Sequence, residues 1–249
     1  MPDSREVLTR PAPPPDLTLT YGPHADHVID VRLPTRLPAP IVVLIHGGFW
    51  RVAYDRTHTG PMASALAEAG YVVATPEYRR TGQEGGGWPG TFDDVAAALD
   101  AVPGLLAPYG SGPPVLVGHS AGGHLALWAA SSPRDLRSVV SLAGCADLVM
   151  CSTLGLDDDA TGLLLGGSPD QVPERYAYAD PAQLPAPAVP VTLLHGTADD
   201  RVPVEVSRSY AERTGAELRE LPGAGHFALI DPLSPVWPRV LETLPTGSW

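Results

Sequence analysis

The chain has 249 residues, 44% hydrophobic and 18% charged, enough for one large domain or two small ones with a buried core and unlike a disordered chain. Its 28 acidic and 16 basic residues leave a formal charge of −12, with a pI of about 4.9 and no basic patch, which argues against nucleic-acid binding. No apolar run approaches the roughly 20 residues of a membrane span, and the absence of any lysine removes P-loop and Schiff-base chemistry.

The opening stretch, MPDSREVLTRPAPPPD, lacks an apolar signal core and reads as a loose leader over residues 1–16. LTLTYG and HVIDVRL then alternate polar and apolar residues, as half-exposed antiparallel edge strands do. Between them, His24 and His27 could touch one ion, but a solvated loop is the preferred reading. No histidine falls in zinc spacing, so neither metal nor cofactor is expected.

From residue 41 the pattern changes to short, continuous, β-branched runs: IVVLIHGG, YVVATPEY, PVLVGHS, SVVSLAG and VTLLHG. Such runs fit strands buried on both faces, hence a parallel sheet. Helical patterns separate them. GPMASALAEAG closes on a C′ glycine at Gly70, and TFDDVAAALDAV opens with Thr91 and two acids. AGGHLALWAASS follows Ser120 directly, VEVSRSYAERTG ends at Gly215, and VWPRVLETL lies near the C-terminus. The alternation predicts an α/β architecture with right-handed crossovers. Residues 145–190 break it and read as a small cap with one or two short helices, inside a single domain over 17–249. Cys145 and Cys151 are too few for a disulfide framework and read as free thiols, a local bridge being the lesser alternative.

Three segments need one another. Gly118-His119-Ser120-Ala121-Gly122 joins an apolar strand to a helix, the context of a nucleophile elbow, and makes Ser120 the candidate nucleophile. A Gly-rich turn without chemistry is the plain alternative. A serine hydroxyl needs a base, and His226, in the loop of LPGAGHF, is the only histidine downstream of the carboxylates in HGTADD. Asp199 and Asp200 both qualify there as the acid. The turn HGGFW supplies backbone N–H groups for a developing oxyanion: Gly48 and Phe49, joined by Ala121, with Gly47 serving the bend and His46 bracing the loop.

HGGFW, GHSAGGHLA, HGTADDRVP and GAGHF stand in the order found in α/β-hydrolases. The chain resembles most the kynurenine formamidase and small carboxylesterase branch, akin to the hormone-sensitive-lipase-like esterases, over about residues 27–245. The resemblance implies a mostly parallel sheet of about eight strands with helices on both faces. It maps the triad onto Ser120, Asp199 and His226 and the oxyanion hole onto Gly48, Phe49 and Ala121, leaving Asp200 to bond the turn backbone or cap the next helix. HGGFW departs from the HGGG of many such esterases. Phe49, Trp50 and His119 are then candidate pocket residues, with core packing an equal alternative for the aromatics.

The expected function is Ser-His-Asp hydrolysis of a small carboxylic ester or aryl formamide, of N-formylkynurenine type, in the cytoplasm. The expected partner is that small-molecule substrate, with neither nucleic acid nor membrane; a homodimer is compatible with the sequence. Two rivals are a dipeptidyl-peptidase-like enzyme, whose usual large extra domain has no room here, and a non-catalytic binding module.

Overall fold

The computed structural model describes residues 5–245; residues 1–4 of the expected leader and 246–249 of the expected domain lie outside the described residues. Its centre is one eight-stranded sheet. In chain order the strands are β1 (Leu17–Thr20), β2 (Val28–Arg32), β3 (Ala39–Ile45), β4 (Val72–Pro76), β5 (Gly110–His119), β6 (Ser138–Leu142), β7 (Val191–Gly196) and β8 (Glu217–Leu221). They lie in the order β1-β2-β4-β3-β5-β6-β7-β8. The pairings β1–β2 and β2–β4 are antiparallel, and all others are parallel. The alternating edge strands and the continuous apolar strands are thus where their patterns put them.

Helices α1 (Gly60–Glu68), α2 (Gly90–Leu106), α3 (Ala121–Ala130), α7 (Val204–Thr214) and α8 (Trp237–Leu241) cover the two faces. Alternate residues of one strand serve opposite cores. Val43 and Ile45 join Phe92, Leu125 and Val206 on one side. Val42 and Leu44 join Met62, Leu66 and Trp237 on the other. Each such buried side chain contributes about 1.5–3 kcal/mol, which is why the strands carry no polar alternation. Helix α7 ends where expected, at Gly215 in the left-handed region.

The break in alternation holds three short helices, α4 (Leu148–Thr153), α5 (Leu156–Leu165) and α6 (Pro173–Ala179). They lie on the α2–α3 face: Leu148, Leu164 and Tyr176 enter that core, Trp88 N–H donates to Leu164 O at 2.8 Å, and His124 reaches Ala179 O at 2.9 Å. Cys145 and Cys151 are buried and unbridged.

Two expectations need correction. Residues 5–15 are not loose. A 3₁₀ turn at Arg5–Leu8 plants Val7, fully buried, in the second core. Arg10 then makes a two-pronged ion pair with Asp231, and Arg32 donates to Pro13 O at 2.6 Å. Proline richness signals the absence of helix, and a chain without helix can still dock. Nor is His27 solvated: it stacks on Tyr21 with centroids 4.8 Å apart and reaches Asp94 Oδ1 at 2.9 Å.

Candidate active site

The expected nucleophile stands where β5 turns into α3. Ser120 has φ 56° and ψ −120°, a strained conformation for a residue with a side chain, and its N–H is held by Leu142 O at 2.9 Å. The turn is that tight because two glycines permit it. A Cβ on Gly118 would lie 2.1 Å from Gly122 O, and one on Gly122 would lie 2.1 Å from Ile45 O. Ser120 and His226 are each 3% exposed and line one cavity of about 60 Å³.

His226 Nδ1 lies 2.7 Å from Asp199 Oδ2. Asp199 follows β7, and its carboxylate is buried among donors. Its Oδ1 accepts from the N–H groups of Arg201 at 2.8 Å and Val202 at 2.9 Å, and its Oδ2 also meets His195 Nε2 at 3.3 Å. Burial alone would raise this carboxyl, but hydrogen bonds from His195 and His226 outweigh it and hold the carboxyl well below the usual range. Asp200 does none of this. Its side chain is 74% exposed, α7 begins after Pro203 without a side-chain cap, and Asp199 itself bonds the turn backbone. The role expected of Asp200 therefore belongs to the second oxygen of Asp199.

The HGGFW turn follows β3. Gly48, Phe49 and Trp50 all have positive φ, at 108°, 48° and 56°. Among the described residues no backbone carbonyl accepts from the N–H groups of Gly48, Phe49 or Ala121. Behind the turn, His46 Nδ1 lies 2.8 Å from Gly47 O and Nε2 lies 2.9 Å from Glu77 Oε1. Burial opposes the Glu77 charge, yet His46, the Arg56 N–H and Arg80 bring the carboxyl down to about 2. Phe49 and His119 line the cavity; Trp50 does not. Trp50 is 1% exposed and donates from Nε1 to His124 Nδ1 at 3.2 Å, so the turn drives it into the core.

Sequence reasoning missed several residues here. His195, four residues before Asp199, was hidden in an apolar strand; its spacing from the acid was the available signal. Arg5, Leu8, Tyr54, His58, Arg201 and Phe227 also line the cavity. The first two come from the docked N-terminal segment, which no periodicity marks. Burial lowers His58 to about 4 and His119 well below the ordinary histidine range, so both are neutral acceptors or donors near pH 7. His119 Nε2 faces His226 O at 3.1 Å, and its Nδ1 has no partner among the described residues.

A strained serine on a strand-to-helix turn, a glycine loop beside it and a buried Asp–His pair on the same sheet edge define an α/β-hydrolase. The chain belongs to the BD-FAE family, whose pattern matches residues 29–213; that span includes Gly48, Ser120 and Asp199 and ends before His226. Esterase LipC of Mycobacterium tuberculosis is 28% identical over 242 residues, covering 85% of this chain and 59% of that protein. The chain spans about half the length of the curated relatives it matches. Esterase B from Lactobacillus rhamnosis has the same fold, with a TM-score of 0.76 at 19% identity over 96% of this chain and 86% of that one. So does the Thermogutta terrifontis esterase Est2, at 0.69 and 22% identity over 95% and 94%. Among the described residues no helix is long and apolar enough to cross a membrane.

Proposed function

We propose that the protein is a serine esterase that cleaves small carboxylic esters through an acyl-enzyme on Ser120. One observation carries the reading: Ser120 shares a small pocket with His226, whose Nδ1 is fixed 2.7 Å from buried Asp199. His226 takes the hydroxyl proton as Ser120 Oγ attacks the carbonyl carbon. Asp199 keeps the other ring proton on Nδ1 and stabilises the imidazolium that forms. The N–H groups of Gly48, Phe49 and Ala121 receive the negative oxygen. Collapse expels the alcohol, which takes its proton from His226. Water then repeats the sequence on the acyl-enzyme. A cavity of about 60 Å³ suits a formyl or acetyl group. The name of LipC, an esterase, supports the assignment. In this reading residues 145–190 are a small cap, and the two unbridged cysteines suit a cytoplasmic enzyme.

Ser120→Ala should lower kcat/KM on p-nitrophenyl acetate by at least about a thousandfold with an unchanged circular dichroism spectrum. A fluorophosphonate should label Ser120 in the wild type alone. Comparable turnover by the variant overturns the assignment.

A second reading, aryl formamide hydrolysis, is favoured by the size of the cavity, about 60 Å³, because a formyl group needs less acyl room than any other acyl group. Turnover of N-formylkynurenine relative to p-nitrophenyl acetate separates the two.

A further inference from the structure

Two arginines stand on the wall of the Ser120 pocket without a close acid. Arg5 lies with its guanidinium carbon 5.8 Å from the centre of the Phe227 ring, and among the described residues no carboxylate pairs with it. The segment that follows it is anchored by buried Val7 and by the Arg10–Asp231 pair. Arg201 follows the Asp199 turn, and among the described residues the one carboxylate paired with its side chain is the exposed Asp200, at 3.8 Å.

Several arginines elsewhere have close acids: Arg56 meets Asp30 at 2.7 Å, Arg79 meets Asp94 at 2.6 Å, and Arg208 meets Glu220 at 2.7 Å. Among the described residues Arg32, Arg36 and Arg213 have no ion pair either, but of the arginines only Arg5 and Arg201 line the cavity of Ser120. Among the described residues the one acid on that wall, Asp157, is already held by Arg51 at 2.6 Å. Two positive side chains therefore line the pocket of a chain of charge −12, where an incoming anion would find two partners.

We infer that the ester presented to Ser120 carries an anionic group, a carboxylate on its acyl or its alcohol side, gripped at the rim by Arg5 and Arg201. The inference rests on the esterase reading and narrows its substrate class. The cavity beside Ser120 is small, about 60 Å³, and the two planar guanidinium forks stand on its wall, placed to meet a carboxylate carried by either half of the ester.

The test compares matched ester pairs: p-nitrophenyl hemisuccinate against p-nitrophenyl butyrate for the acyl side, and p-acetoxybenzoate against its methyl ester for the alcohol side. In one pair the wild type should favour the anion by about tenfold in kcat/KM, chiefly through KM, and about 0.5 M NaCl should erode the preference. Arg5→Ala and Arg201→Ala should each lower the anion-to-neutral ratio several-fold, Arg201→Lys less, and the remote, unpaired Arg36→Ala not at all. A wild-type ratio near one in both pairs, or a ratio unmoved in the Arg5→Ala/Arg201→Ala double variant, overturns the inference while neutral-ester turnover leaves the esterase reading standing. Failure to cleave any ester overturns that reading instead. Titration calorimetry with benzoate and succinate against benzamide and succinamide then decides on the anion alone, and equal or absent binding sinks it.

Discussion

Residues 5–15 and residues 145–190 both fall outside the strand–helix alternation, yet they meet the pocket in opposite ways. The short N-terminal segment gives it Arg5 and Leu8, while the longer excursion gives it Asp157 alone and spends its apolar residues on the α2–α3 core. Length and helical content do not decide which segment shapes a site. One anchor in the right place does: Val7 ties the N-terminal turn to the core of that face, and Arg5 then lies over Phe227, next to His226 in the chain.

Three substitutions would break or sharpen that contrast. The largest effect is expected from Val7→Asp, which buries an unpaired charge at a fully buried position. It should cost about 3–5 kcal/mol in urea unfolding, or undock the segment and lower ester turnover with it. Unchanged stability and kinetics would mean that the anchor is idle.

Arg10→Ala removes a part-buried ion pair and should cost about 1 kcal/mol near neutral pH. Arg10 holds the Asp231 carboxyl below its ordinary value through their hydrogen bond. The pair's contribution is thus complete above the unfolded aspartate pKa of about 3.9 and is lost as pH falls through the lower folded value. Wild type and variant should converge in stability in acid; a gap that widens there would show the sign to be wrong. Arg51→Ala, which frees Asp157 in the excursion, should change stability by no more than about 0.5 kcal/mol, because both partners are roughly a third exposed. A cost above that of Arg10→Ala would reverse the contrast.

The parallel strands were legible because burial on both faces leaves a run of β-branched residues that few other environments tolerate. The Ser120 turn was legible for a related reason: its glycines sit where a Cβ would lie 2.1 Å from a backbone oxygen, which no other residue allows. Asp199 and Asp200 were not separable by their own chemistry. What separates them is the turn that buries one and leaves the other 74% exposed. Trp50 was a pocket candidate together with Phe49 because HGGFW carries both aromatics where HGGG carries none, but consecutive residues at positive φ send their side chains different ways. His195 and Arg5 depend on contacts between segments far apart in the chain, and local pattern carries no trace of those.

The two oxygens of Asp199 have different employers, and that makes asparagine a poor mimic there. An amide at this position has a single acceptor oxygen, which the N–H groups of Arg201 and Val202 already claim. Its NH₂ would then point at His226 Nδ1, a nitrogen that must become an acceptor to meet it. The imidazole proton would be exiled to the far nitrogen, so the ring would keep its seat and lose its polarity. The loop after β7 thus encodes, through two backbone amides, which way round a histidine on another loop wears its hydrogen.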